Sequence, residues 1–73
     1  MTTLNSASLT ICVNGERQSL AQPATVAMLI QARGPRPPFA VEVNKRLVRR
    51  AEFEATALRV GDQVEIVTLV GGG

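Results

Sequence analysis

The sequence predicts a small α+β domain in which one main helix lies on one face of a mixed sheet of four to five strands. Three observations support this fold class: an alternating apolar segment that ends in Asn14-Gly15, an apolar spacing of helical period that is followed by glycine and prolines, and a Val- and Ile-rich segment over residues 63–69. A chain of 73 residues buries only about 60% of its unfolded surface, which suffices for one modest core. We therefore expect a single domain over residues 1–73, with a loose N-terminal tail over residues 1–7.

The first predicted element is a β-hairpin. Leu9, Ile11 and Val13 alternate with polar or small residues, and this period of two is typical of a half-buried strand. Asn14-Gly15 follows at once, and this dipeptide favours a type I′ turn, which needs positive φ at both central residues. We expect the return strand over residues 16–20.

The second predicted element is the helix. Thr25 is placed to cap its N-terminus. Val26, Leu29 and Ile30 follow the spacing i, i+3, i+4 and predict one buried stripe. Gly34 is placed to end the helix in the left-handed conformation, and the prolines that follow prevent any continuation.

The rest of the chain returns to strands. We expect a third strand over residues 39–43, a turn over 44–46, a short edge strand at 47–48, one helical turn within 51–58 and a last strand over 63–69. A hairpin followed by a helix and further strands is the order of the β-grasp (ubiquitin-like) fold. In that fold the first and last strands lie parallel at the centre of the sheet, and a strand rich in Val and Ile suits a central position.

The composition excludes several classes of chemistry. The chain has no His, so Ser-His, Cys-His and His-metal sites are all absent. It also has no Tyr or Trp, and its net charge is only +2, which argues against nucleic acid as a partner. We therefore expect no metal site, no bound cofactor and no catalytic residues of its own.

No apolar run approaches the roughly 20 residues that a membrane-spanning helix needs, so we expect no membrane association. The N-terminal residues lack the basic and apolar regions of a secretory signal. One cysteine, Cys12, cannot form an internal disulfide, and this fits the reducing cytoplasm.

The most informative feature is the C-terminal tail, in which an apolar strand leads through Val70 into Gly71, Gly72 and Gly73. Glycines carry no side chains and allow wide φ/ψ freedom, so such a tail can thread a narrow channel. We therefore predict a flexible reactive tail over residues 70–73 that presents its terminal carboxylate to another protein's active site. The alternative is a passive β-grasp interaction module whose glycines are incidental.

Several segments carry a resemblance to a known family. They comprise residues 11–16, 24–29, 41–44, 47–53, 61–67 and 70–73. In their order and spacing they resemble the ThiS family, the sulfur carrier proteins of thiamine thiazole biosynthesis. The runner-up is the small subunit of molybdopterin synthase, which has the same fold and tail chemistry, or a carrier that serves another sulfur pathway.

The resemblance implies a mechanism and partners. A ubiquitin-activating-type adenylyltransferase uses ATP and Mg²⁺ to adenylate the C-terminal carboxylate. Sulfur from a donor protein such as a cysteine desulfurase then gives a thiocarboxylate, and thiazole synthase takes the sulfur. By position, Gly73 carries the reactive carboxylate, Gly72 is its slim neighbour and Gly71 extends the tail. The carrier itself is a protein co-substrate and not an enzyme.

Three further groups of residues are candidates for function. Cys12 lies in mid-strand with no cation beside it in sequence, so we interpret it as a small filler of the outer face and not as a reactive thiol. Val67, Leu69 and Val70 are more apolar than a strand end needs, which predicts a partner surface. A basic cluster is interleaved with carboxylates, which indicates a solvated rim; it comprises Lys45, Arg46, Arg49 and Arg50.

Overall fold

The computed structural model describes residues 8–69. These residues form a five-stranded sheet, one α-helix and one 3₁₀ helix. In chain order the elements are β1 (Ser8–Val13), β2 (Glu16–Ala21), α1 (Val26–Arg33), β3 (Phe39–Val43), β4 (Arg46–Val48), the 3₁₀ helix (Arg50–Ala55) and β5 (Gln63–Thr68). The strand order across the sheet is β2-β1-β5-β3-β4, which is the β-grasp arrangement that the sequence predicts. The predicted tails, residues 1–7 and 70–73, lie outside the described residues.

The hairpin forms as predicted. β1 and β2 pair antiparallel, with Leu9 opposite Leu20. Asn14 has φ 52° and Gly15 has φ 84°, so both central residues of the turn adopt the left-handed values that a type I′ turn requires. β2 extends one residue beyond the prediction, to Ala21.

Both helix caps also form as predicted. The Thr25 hydroxyl oxygen accepts a hydrogen bond from the Met28 N–H at 3.3 Å. At the other end Gly34 has φ 59° and ψ 46°, and its N–H donates to the Ile30 carbonyl oxygen at 2.8 Å. The caps satisfy backbone groups that a helix of only eight residues would otherwise leave unpaired at its ends.

The core lies between α1 and one face of the sheet. Its buried apolar residues come from β1, α1, β3, β4, β5 and two loop positions: Leu9, Ile11, Val13, Ala24, Val26, Leu29, Val41, Val48, Leu58, Val64 and Ile66. Of the predicted helical stripe, Val26 and Leu29 are fully buried and Ile30 is partly buried against the same core. Each fully buried side chain of this kind contributes about 1.5–3 kcal/mol relative to an exposed position.

β5 is the central strand, as its composition predicts. It runs parallel to β1, with Cys12 opposite Gln63, and antiparallel to β3, with Phe39 opposite Thr68. The strand ends at Thr68, one residue before the predicted end. The Leu69 N–H still donates to the Pro38 carbonyl oxygen at 2.8 Å, but proline has no N–H to return the second bond, so the ladder ends there.

The turn between β3 and β4 is tighter than predicted. The sequence predicts a turn over residues 44–46, but Arg46 belongs to β4 and pairs with Val43. Asn44 has φ 52° and Lys45 has φ 70°, so this is a second two-residue turn with both central residues in the left-handed region. Asn-Lys is a weaker signal for such a turn than Asn-Gly because Lys pays a steric cost at positive φ. β4 is an edge strand, as predicted.

Among residues 8–69, no helix combines the length and the apolar character that crossing a membrane requires.

Candidate functional site

The candidate site is the C-terminal end of β5, where the chain leads into the predicted reactive tail. Val70, Gly71, Gly72 and Gly73 lie outside the described residues, so their roles stay predictions. The structure does place the strand from which the tail departs. The position and rigidity of β5 therefore decide where the tail begins.

The side chains of β5 alternate between two environments. Val64 and Ile66 point into the core and are buried, whereas Val67 is 49% exposed on the opposite side, which we call the outer face of the sheet. Leu69, just beyond the strand, is 50% exposed. Two residues of the predicted partner surface therefore present apolar side chains to solvent, as such a surface requires.

Asn14 holds the second half of β5 through its side chain. Its Oδ1 accepts a hydrogen bond from the Ile66 N–H at 2.8 Å, and its Nδ2 donates to the Ile66 carbonyl oxygen at 3.1 Å. The Asn14 backbone N–H meanwhile donates to the Val64 carbonyl oxygen at 2.9 Å. The amide thus continues the parallel ladder for one step after the backbone of β1 has turned away. These two hydrogen bonds between the Asn14 side chain and Ile66, the Asn14 clasp, lie three residues before Leu69. They fix the end of β5 from which the tail departs.

Asn44 holds the start of β5 in a similar way. Its backbone N–H donates to the Gln63 carbonyl oxygen at 2.7 Å, and its Oδ1 accepts from the Gln63 N–H at 3.0 Å. Its Nδ2 donates to Asp62 Oδ1 at 3.0 Å, and the other Asp62 oxygen accepts the Arg59 N–H at 2.8 Å. Both ends of β5 are therefore bonded to an asparagine in a two-residue turn. The sequence alone predicts neither role, because Asn14 and Asn44 are read there as turn residues only.

Cys12 is a free, partly buried thiol on the outer face of β1. Neither residue next to Cys12 in the sequence is a cation, but Arg17 of β2 lies directly opposite Cys12 across the hairpin. Gln63 of β5 lies opposite on the other side. Within residues 8–69 no three Cys, Asp or Glu side chains come close enough to share a metal ion.

The basic cluster is exposed, and within residues 8–69 none of its side chains forms an ion pair with a carboxylate. In the part of the chain that the structure describes, the one ion pair joins Arg33 and Glu16, at 3.9 Å. Glu52 accepts a hydrogen bond from the Arg49 backbone N–H at 3.0 Å and so caps the 3₁₀ helix. This carboxylate therefore has a structural role.

Phe39 and Phe53, which are distant in sequence, come together in the fold. Their ring centroids are 6.4 Å apart with nearly parallel planes. Both rings are partly buried against the core. The pair joins β3 to the 3₁₀ helix near Pro38, which receives the last backbone hydrogen bond before the tail.

Comparison with known proteins decides the family. The family model of ThiS matches residues 6–73, which include the glycine tail. The chain belongs to the ThiS family. The resemblance seen in the sequence segments is thereby confirmed, and with it the β-grasp fold.

Solved structures agree with this assignment. The crystal structure of the thiamine biosynthesis protein ThiS from Geobacter metallireducens is 30% identical, with a TM-score of 0.76 over 89% of this chain and 100% of that one. A solution NMR structure of a thiamine biosynthesis protein from the same organism has a TM-score of 0.74, again at 30% identity, and the match covers 89% of this chain and 88% of that one.

Two curated relatives extend the comparison. A thiazole synthase from Magnetococcus marinus is 38% identical over 64 residues, which are 86% of this chain and 20% of that protein. This chain therefore spans about a fifth of the length of that relative. The uncharacterized protein ycf40 of Porphyra purpurea is 32% identical over 69 residues, which are 90% of this chain and 94% of that protein.

Proposed function

We propose that this chain is a sulfur carrier protein of thiamine thiazole biosynthesis, whose Gly73 carboxylate carries the sulfur. The observation that supports this most directly is the match to the ThiS family over residues 6–73, which includes all three terminal glycines. The passive-module alternative gives those glycines no purpose. In this proposal the chain is a co-substrate that partner enzymes modify, and it works in the cytoplasm.

The proposed chemistry begins at a poor electrophile. The Gly73 carboxylate attacks the α-phosphorus of ATP in a ubiquitin-activating-type adenylyltransferase that also binds Mg²⁺, and pyrophosphate leaves. The product is a mixed anhydride whose carbonyl carbon is electrophilic. A sulfur nucleophile supplied by a donor such as a cysteine desulfurase then attacks that carbon. The carbon–sulfur bond forms as the carbon–oxygen bond to AMP breaks. With a persulfide donor the product is an acyl disulfide, and a second thiol, from the donor or from a thiol reductant, attacks the donor's sulfur atom. The S–S bond to the tail breaks, a disulfide forms between the two thiols, and the tail leaves as a thiocarboxylate.

The acceptor in this proposal is thiazole synthase. Support comes from the Magnetococcus marinus thiazole synthase, since one segment of that longer protein is similar to nearly the whole of this chain. A carrier that shares a polypeptide with the synthase would deliver its tail at high effective concentration. We propose that this carrier domain delivers the thiocarboxylate by docking on the synthase.

The fold contributes a rigid origin for the tail. β5 is paired on both sides, and asparagine side chains bond to its first residue, Gln63, and to Ile66 near its end. Partners can therefore recognise the fixed domain and receive the tail at a defined position. We propose that Val67, Leu69 and Val70 form part of the surface that such partners cover.

The decisive experiment follows the mass of the intact protein. Incubation with the activating enzyme, ATP, Mg²⁺ and a sulfur donor should raise the mass by the difference between one sulfur and one oxygen atom. Fragmentation should place this change on Gly73, and omission of ATP should abolish it. An unchanged mass, with an enzyme that thiolates another carrier in the same preparation, contradicts the proposal and favours a passive module.

A second expected result concerns the thiol. Cys12→Ser should be thiolated at Gly73 at the rate of the parent chain, because in this proposal sulfur travels on the tail alone. Some loss of thermal stability is expected, since the side chain is partly buried and a hydroxyl is more costly to desolvate than a thiol. Sulfur transfer to thiazole is measured with the folded variant. Complete loss of transfer would show that the thiol takes part.

A further inference from the structure

The first residue of β3 keeps backbone groups that the sheet does not use. The Pro38 carbonyl oxygen accepts the Leu69 N–H at 2.8 Å, so the alternation of an antiparallel ladder turns the Phe39 N–H and carbonyl away from β5, towards β4. β4 does not reach them, because its last residue, Val48, pairs with Val41. Within residues 8–69 these two groups of Phe39 have no hydrogen-bond partner. They offer one donor and one acceptor to a further segment of extended chain.

A groove of about 550 Å³ opens at this unpaired edge, and we call it the β3 edge groove. It is lined by residues 37–41, residues 47–50 and Phe53. The stacked rings of Phe39 and Phe53 give it an apolar wall, and Arg49 and Arg50 form its basic side. Both arginines are exposed, and neither forms an ion pair within residues 8–69. The groove therefore suits a slim segment of chain that ends in a negative charge.

The C-terminal tail of the same chain has this chemistry. It ends in three glycines and a carboxylate. Glycines bring backbone donors and acceptors close to a neighbouring strand because they have no side chains. A carboxylate is the group that the planar guanidinium of arginine binds through two parallel hydrogen bonds.

The tail is also long enough to enter the groove. It follows Leu69, which is already bonded to Pro38 at the edge of the groove. Neighbouring strands are about 4.8 Å apart and residues rise about 3.3 Å along a strand, so the register places Leu69 roughly 10–12 Å from the backbone of Arg49 and Arg50. Four extended residues span at most about 14 Å, and the arginine side chains shorten the remaining gap.

We propose that in the free protein the tail folds back into the β3 edge groove, where a tail carbonyl accepts the Phe39 N–H and the Gly73 carboxylate binds Arg49 and Arg50. Because the tail and the groove belong to one chain, the effective concentration of the tail is of millimolar order. A thiocarboxylate keeps the negative charge, so the thiolated tail folds back in the same way.

The folded-back state does not depend on the proposed function, but its consequence does. An activating enzyme must take the tail out of the groove before it can bind it. Its apparent Kd is then the intrinsic Kd divided by the fraction of molecules whose tail is free. The groove therefore sets how readily the tail is handed over.

¹⁵N relaxation of the full chain tests the folded-back state. The order parameter of the Gly73 amide should exceed about 0.6 in the parent chain and fall below it in the double variant Arg49→Gln/Arg50→Gln, which lacks both cations. Arg17→Gln is the matched control, because Arg17 is an exposed arginine of β2, at the opposite edge of the sheet. Its Gly73 order parameter should equal that of the parent.

Hydrogen exchange at Phe39 gives a second readout with a control in the same strand. A tail that occupies the groove for about two-thirds of the time slows exchange of the Phe39 amide about threefold. The double variant should lose this protection. The Val41 amide, which faces β4 where Val41 pairs with Val48, should exchange equally in both chains.

The outcomes separate this inference from the proposed function. A Gly73 order parameter below about 0.6 in the parent, with Phe39 exchange equal in parent and double variant, overturns the folded-back state. Signals that fade on dilution assign the groove to the tail of a second copy and also overturn it. Thiolation of Gly73, followed by intact mass, tests the function independently: a tail that folds back and is never thiolated supports this inference and contradicts the function.

Discussion

Gly72→Val should unfold at the same temperature as the parent chain and yet be adenylated about a hundredfold more slowly. Residue 72 follows the last strand of the sheet, and changes away from packed features usually alter stability by no more than about 0.5 kcal/mol. The chemistry is more demanding, because the tail must lie extended with its carboxylate aligned to the α-phosphate of ATP. A β-branched side chain adds bulk next to the reacting residue and removes the positive-φ conformations that glycine allows.

The measurement is pyrophosphate exchange on each variant, beside its thermal unfolding curve. Gly71→Ala is the matched comparison, because it adds less bulk one residue further from the reacting carbon and should be milder. A Gly72→Val chain that exchanges as fast as the parent would show that the glycines do not serve access. The central premise of the proposed function, a slim tail threaded into another active site, would then be wrong.

Most of the fold could be predicted because its signals are local. Asn14-Gly15 specifies a turn by its own φ preferences, and Thr25 and Gly34 specify the ends of α1 in the same way. The central position of β5 follows from its Val and Ile content. The predicted turn over residues 44–46 is one residue wider than the observed turn at Asn44-Lys45, because nothing local distinguishes a lysine held at positive φ from an ordinary loop residue.

The arrangement of the outer face could not be predicted, because it depends on register. Glu42 and Glu65, which lie opposite each other there, are 23 positions apart in the sequence, and a shift of one residue in the pairing of β3 with β5 would place them on different faces. The same holds for the clasp between Asn14 and Ile66, whose partners are 52 positions apart. The proposed reactive tail is the reverse case, since Gly71, Gly72 and Gly73 are read directly from the sequence.

Asn14→Gly should lower the free energy of unfolding by about 2 kcal/mol, because it removes two hydrogen bonds to Ile66 and leaves a partly buried N–H and carbonyl of the central strand without partners. Glycine accepts the observed φ of 52° without strain, so this loss reports on the side-chain amide together with the extra freedom of glycine in the unfolded chain. Asn14→Ala loses the same bonds and also strains the backbone at positive φ. Its total loss should be about 3 kcal/mol.

Asn14→Asp distinguishes the contributions of the two Ile66 hydrogen bonds to stability. It keeps an acceptor for the Ile66 N–H but has no donor for the Ile66 carbonyl oxygen when ionised, so its stability at neutral pH should fall between those of the parent and Asn14→Gly. Urea unfolding ranks the variants by their free energy of unfolding. A loss of about 2 kcal/mol should lower the midpoint of thermal unfolding by roughly 8–16 °C in a domain of this size. Hydrogen exchange gives the local readout, since the Ile66 amide should lose protection before those of the β1–β2 hairpin.

An Asn14→Gly chain as stable as the parent, with Ile66 still protected, would mean that backbone pairing alone holds the end of β5. The asparagine would then serve only the turn, and the base of the tail would be positioned without it.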